Sequence, residues 1–392
     1  MRTIGSKKVL VFPMELAAHY LRCIEYCNKL PKKHEILFAY SEKYSEFIEE
    51  AGYETFDVEN FDSEEVSKAA KDFDFNWMYQ TNLERILNSQ VDAITENKPD
   101  IVLGDTAFTL KMASEITETR FISLLNAYIT KYYANTRPVS RKHPGYKYSK
   151  MLPSSIFNQI ARGIEQLNMT QIHEPYRKIR KTLDLQTTDI LLDELEGDYN
   201  LICDIPSIFP MKNPPNNFEY IGPLYYSKSN NEEEAIRFLD DHHPSILVSM
   251  GSSGEWDGVT KLSDPVFKDY RIIITGESLE LQGYNVYSKP FLNHCAVLPH
   301  IDLVICHGGN GTIYQALAYG VPVICSPSNF EQEWNASQIQ NKGLGIIIDE
   351  ETSPSELKRD IDNWITKKGS STFSEVKNEI KQTTYSIVNL PS

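Results

Sequence analysis

Apolar and polar positions along this chain fall into two trains of the same kind. The first opens with "KKVLVFP", a compact apolar run, followed by "MELAAHYLRCIEYCNKL", whose apolar residues recur at helical spacing, and by "HEILFAY", a second strand. This is a βαβ unit. The rhythm continues through "AGYETFDV", the helical "NWMYQTNLERILNSQVDAITEN", "PDIVLGD" running into "TAFTLKMASEIT", and "RFISLLN". Strands that alternate with helices predict a parallel sheet covered on both faces. From about residue 128 to about 200 a Tyr- and Lys-rich loop and longer helices interrupt the alternation as an insertion, and "YNLICDIPSIFP" returns to a strand.

Between Pro210 and Glu234 runs "PMKNPPNNFEYIGPLYYSKSNNEEE", rich in Pro and Asn, the composition of a linker and not of a core element. The domain boundary is placed there, giving residues 1–222 and 223–392. Beyond it the alternation restarts with "SILVSMGSSG", "YRIIITGE", "YNVYSKPF", "LPHIDLVICHGGNG", "VPVICSPSN" and "LGIIID", the strands of a second doubly wound α/β domain. The last segment, "STFSEVKNEIKQTTYSIVNL", is amphipathic and suited to pack against either domain.

Composition narrows the function. With 392 residues, 41% of them hydrophobic, the chain can bury two cores. Lys and Arg number 39 against 54 Asp and Glu, and a net charge of -15 repels a nucleic-acid backbone. Six cysteines scattered through apolar segments form neither a disulfide framework nor metal knuckles, so reduced thiols and a cytoplasmic location are expected. "VLVFPM" is too short for a secretory core, and no apolar run approaches the roughly 20 residues of a membrane span.

The stretch "CHGGNGTIYQALAYGVP", Cys306 to Pro322, reads as a strand end, a glycine turn and a helix. The first amides of such a helix lack internal partners and its dipole adds partial positive charge, so the turn suits an anion, phosphate above all. Gly308, Gly309 and Gly311 let backbone approach a ligand, Thr312 offers a hydroxyl, and His307 ends the strand.

"HGGNGT", "ALAYGVPVICSP" and "EQEWNA", in that order and with "YIGPLYY" and "ILVSMGSS" ahead of them, resemble the donor-binding signature of family 1 nucleotide-sugar-dependent glycosyltransferases. The resemblance covers most of Tyr220 to Ala336 and implies the GT-B fold, two tandem Rossmann-like domains facing a cleft. It further implies that His307, Gly309, Gly311 and Thr312, with Gly251 and Ser252, hold the donor diphosphate, Asn335 supporting that side. Glu331 and Gln332 fall where the family binds sugar hydroxyls. Phe291, followed by Leu292, stands where plant members stack the base on a Trp, and Gln315 replaces a ribose-binding glutamate. The donor is then a UDP- or dTDP-sugar.

The family deprotonates its acceptor with a histidine near the N-terminus, and "FPMELAAHYL" puts His19 at the matching interval, although Ala18 and Arg22 replace the usual Gly and Pro. Asp105, ending the strand in "VLGDTAF", is the candidate partner that orients it; a helix N-cap is its plain structural alternative. His19, Cys23 and Cys27 share a helical face, but thiols four apart on a core stripe are read as buried apolar groups, not metal ligands. The segment Lys131–Lys150, with no acid and four tyrosines, suits an anionic or aromatic acceptor or an anionic membrane surface. The expectation is an inverting, metal-independent transfer to a small-molecule or lipid hydroxyl, with the nucleotide-sugar as co-substrate and no cofactor. Two rivals share the diphosphate site: a nucleotide-sugar epimerase and a non-catalytic nucleotide-sugar-binding protein.

Overall fold

The computed structural model of the chain describes residues 5–72, 74–141, 143–152, 154–226, 231–239, 242–251, 257–276, 281–349, 351–384 and 390. It divides into two compact units, Met1–Leu224 with Thr383–Ser392, and Tyr225–Gln382.

Unit 1 is built on strands β1 (Lys8–Pro13), β2 (Glu35–Ala39), β3 (Glu54–Phe56), β4 (Ile101–Asp105), β5 (Arg120–Leu125), β6 (Tyr199–Ile202) and β7 (Phe218–Tyr220). Between them lie helices α1 (Ala17–Lys29), α2 (Ser45–Glu50), α3 (Ser63–Asp72), α4 (Gln80–Asn97), α5 (Leu110–Ile116), α6 (Ser154–Ile172) and α7 (Glu174–Thr182). The strands pair in parallel in the order β3-β2-β1-β4-β5-β6-β7. Val9, Val11, Leu103 and Leu124 bury one face of the sheet against Tyr20, Cys23, Ile24 and Cys27, the i, i+3, i+4, i+7 stripe of α1. The expected insertion is the segment carrying α6 and α7.

The Pro- and Asn-rich stretch departs from expectation. Within it β7 adds an edge strand to unit 1, and Ile221 and Leu224 are buried in the same core. A strand of three residues at a sheet edge gives no periodic signal beside so many turn formers, so its composition reads as linker.

Unit 2 carries β8 (Ser245–Ser249), β9 (Arg271–Thr275), β10 (Val286–Lys289), β11 (Leu303–Cys306), β12 (Val323–Cys325) and β13 (Gly345–Ile347), all parallel, in the order β10-β9-β8-β11-β12-β13. Its helices are α8 (Glu233–Phe238), α9 (His294–Val297), α10 (Asn310–Ala318), α11 (Phe330–Asn341), α12 (Pro354–Ile365) and α13 (Ser371–Thr384). The terminal amphipathic segment divides: Phe373 of α13 lies over Gly320 in unit 2, and Leu390 packs on the unit 1 core. Among the described residues no helix is long and apolar enough to cross a membrane.

In the β12–β13 pairing a Cβ on Gly345 would stand 2.1 Å from the Val323 carbonyl oxygen. Gly345→Ala must push the edge strand away, and chemical denaturation should show a loss of about 1–3 kcal/mol, the range for overpacking.

Candidate active site

Each sheet has one place where strand order reverses, and crevices of parallel sheets open there, outside the carboxyl ends of the strands. In unit 1 it lies between β1 and β4, whose last residues, Pro13 and Asp105, are register partners. In unit 2 it lies between β8 and β11, where Ser249 pairs with Cys306. The chain leaves the first pair toward His19 and from Asp105; it leaves the second toward Gly251 and His307.

In unit 1 the His19 Nδ1 lies 2.8 Å from Asp105 Oδ1. Asp105 is fully buried; burial works to raise its pKa, but the Arg22 guanidinium and then His19 hold it down at about 2. An ionised carboxylate only accepts, so the imidazole donates through Nδ1, and the neutral ring keeps its lone pair on Nε2. The interval from Pro13 and the strand-end aspartate thus meet in one hydrogen bond.

Arg22 is the residue that sequence reasoning missed, having registered it only as a missing proline. One turn beyond His19, its Nε donates to Asp105 Oδ2 at 2.6 Å, one terminal nitrogen binds Asp105 Oδ1, and the other donates to Asn126 Oδ1 at 2.5 Å. Asn126 in turn donates to Asp204, which also accepts the Ala127 amide at 2.7 Å. Two signals were there: the i, i+3 spacing from His19, which puts both on one helix face, and the position of Asn126 and Asp204 just past β5 and β6. Cys23 and Cys27 point into the core with thiol pKa values raised by burial. Among the described residues no three His, Cys, Asp or Glu side chains converge on a common point.

In unit 2 the His307 ring is held between two stretches of backbone. A Cβ on Gly251 would stand 2.7 Å from its Cε1, and one on Gly309 would stand 2.3 Å from its Nε2. Burial pushes the His307 pKa down to about 4, the Ser249 carbonyl opposing, so the ring is neutral at pH 7. Gly308, at φ +89°, meets the Gln332 carbonyl oxygen 2.8 Å from where a Cβ would be, and the Asn335 side-chain amide donates to the Gly308 carbonyl at 3.2 Å. Gly311 differs, since beyond its chain neighbours and its own helix backbone no atom lies within 4 Å of its missing Cβ. Protein packing therefore requires the first two glycines of the turn, and the third faces open space. Helix α10 has no side-chain cap at Gly309, and Thr312 sits half-buried in its first turn.

The remaining candidates separate. Gln332 is buried and its side-chain oxygen accepts from the Ser328 amide and hydroxyl, at 2.8 and 3.0 Å, whereas Glu331 is exposed on the first turn of α11. Phe291 is 44% exposed, while Leu292 is buried. The Gln315 carboxamide is engaged at both ends, its oxygen 2.8 Å from His294 Nδ1 and its nitrogen donating to the Tyr226 carbonyl at 3.0 Å. Ser252 lies outside the described residues.

Comparison with known proteins bears on the fold and the class of protein. The profile of the glycosyltransferase family 28 C-terminal domain matches residues 270–390. The chain is 25% identical over 356 residues to the PGL/p-HBAD biosynthesis glycosyltransferase of Mycobacterium tuberculosis, covering 88% of this chain and 82% of the relative. Among solved structures, the calicheamicin glycosyltransferase CalG4 superposes with a TM-score of 0.71 at 16% identity, covering 97% of this chain and 95% of that one. The Streptomyces sp. SF2575 glycosyltransferase SsfS6, complexed with thymidine diphosphate, gives 0.65 at 15% identity over 97% and 98%. The chain is a glycosyltransferase of the GT-B fold. Its relatives and the donor-domain motifs support a family 1-like member of that class.

Two outcomes follow from the Asp105 cluster. Its folded pKa of about 2 lies below the ordinary 3.8, so its contribution is whole above about pH 4 and fades as pH falls toward 2, a loss of about 2 kcal/mol. Urea melts from pH 5 to 2 should show that decline, superimposed on the one from Glu194, which is also held down at about 2, and Asp105→Asn should remove part of the slope. Arg22→Met strands the buried carboxylate and should cost about 3–5 kcal/mol at pH 7 in the same melts.

Proposed function

We propose that the protein transfers a sugar from a nucleoside diphosphate, held by unit 2, to a hydroxyl of a small-molecule or lipid acceptor deprotonated by His19. The observation that carries this reading is the His19–Asp105 hydrogen bond at the β1/β4 reversal, which leaves Nε2 as the base. A sugar or phenol hydroxyl is a weak nucleophile near neutral pH, and a base in hydrogen-bond reach is worth about a hundred- to ten-thousand-fold in rate. As the hydroxyl attacks, the imidazolium that forms is stabilised by Asp105, whose charge Arg22 shares. Attack from the side opposite the diphosphate inverts the anomeric centre.

On the donor side, the first-turn amides of α10 and the Thr312 hydroxyl would receive the developing diphosphate charge, without a metal ion as part of the proposal. His307, neutral and clamped, would donate or accept a hydrogen bond there and add no charge. Gln315 bears on the nucleotide. A neutral amide committed to His294 and Tyr226 grips a ribose diol less well than a free carboxylate, which favours a deoxyribose donor, in keeping with the thymidine diphosphate bound by SsfS6.

His19→Ala should keep the donor affinity measured by calorimetry while turnover falls about a hundred- to ten-thousand-fold, with the product anomer inverted. Full turnover, or a retained anomer, removes His19 from the role of base. Gln315→Glu should shift the ratio of UDP to dTDP binding constants toward UDP; an unchanged ratio takes Gln315 out of nucleotide selection.

A further inference from the structure

Helix α6 turns its apolar face outward. On its inner side Ala161 and Met169 are buried. Its two charged residues are both spent on the preceding segment: Glu165 pairs with Arg137 at 2.6 Å, and Arg162 donates to the Thr136 hydroxyl at 2.9 Å. The opposite side presents Ile156, Ile160, Ile164 and Leu167, each between 45 and 65% exposed, at the i, i+4, i+8, i+11 spacing of a single stripe. Just ahead of the helix Tyr148 and Met151 are exposed as well, Met151 by 74%. A contiguous apolar strip of this kind marks a contact surface.

The chemistry beside the strip says what it meets. The segment Lys131–Lys150 that leads into α6 holds six Lys and Arg and no acid, in a chain whose net charge is -15. Lys131 and Arg137 are paired within the chain, with Asp193 and Glu165; Arg141 and Lys147 are exposed, Lys147 on the 3-10 turn Pro144–Lys150 that packs on α6. Cations next to isoleucines, in a chain of net charge -15, fit a surface with negative headgroups above an apolar layer. A second copy fits less well, because an isologous contact sets the cationic segment against or beside its own counterpart. The helix is not apolar enough to span a bilayer, so it would lie on one.

We propose that the outward face of α6, with the cationic segment ahead of it, is the surface by which the protein rests on an anionic bilayer. The contact uses no residue of either candidate half-site and stands independently of the reaction proposed above.

Co-sedimentation of the full chain with vesicles tests it. The protein should bind vesicles of phosphatidylglycerol and phosphatidylcholine in equal parts, release with rising salt, and ignore vesicles of phosphatidylcholine alone. Ile160→Glu combined with Ile164→Glu should lower the partition coefficient about tenfold or more, and Arg141→Glu combined with Lys147→Glu should lower it similarly. Circular dichroism and Tm should stay at wild-type values, the isoleucines, Arg141 and Lys147 being exposed. Absence of binding to the anionic vesicles, or binding that ignores both pairs of substitutions, overturns the proposal. So does a dimer in analytical ultracentrifugation that the isoleucine pair dissolves, since a second copy would then cover the face.

Discussion

A parallel sheet whose crossovers leave in opposite directions from two neighbouring strands cannot be covered at the carboxyl end between them. That constraint organises both units here. In unit 1 it leaves a gap past the ends of β1 and β4, and in unit 2 past the ends of β8 and β11. The residues with the most distinctive chemistry, His19 with Asp105 and His307 with Gly251, stand at the ends of these four strands or in the segments that leave them. Neither half needed a special scaffold; each used the gap that its topology leaves.

What fills the gap in unit 1 is a charge that ordinary core packing would reject. A carboxylate with no exposed surface is tolerated only when its lone pairs and its charge are answered, and Asp105 is answered three times, by Arg22, His19 and the Thr106 hydroxyl. The guanidinium is itself answered by Asn126, and Asn126 by Asp204, so the network runs across the ends of β4, β5 and β6. The position of His19 is thereby fixed by a chain of bonds that reaches well past its own helix.

Legibility in the sequence followed the range of the interactions. Runs such as "KVLVFP", "SILVS" and "LVIC" announce buried parallel strands because all but the leading lysine are buried and most are apolar, and the glycine turn announces itself by composition. The strand β7 was hidden because three residues are too few to show a period. Arg22 was hidden because a buried arginine is explained only by partners distant in the chain, 83 residues away at Asp105 and 104 at Asn126. Glu331 and Gln332 were read as a pair because they are adjacent, yet a helix turns successive side chains about 100° apart. One faces water and the other anchors Ser328.

The clamp on His307 has a further consequence. Most polar side chains at a binding surface choose among rotamers and surrender that freedom when a ligand arrives, at a cost of about 0.5–1.5 kcal/mol for each rotamer-rich side chain immobilised. Here the ring is wedged between the backbones of Gly251 and Gly309, so its orientation is settled when the domain folds. The ordering entropy is drawn from folding stability, and in the proposed donor role an incoming group would meet an imidazole already immobile. Its aim belongs to the main chain, and neighbouring side chains can vary without redirecting it.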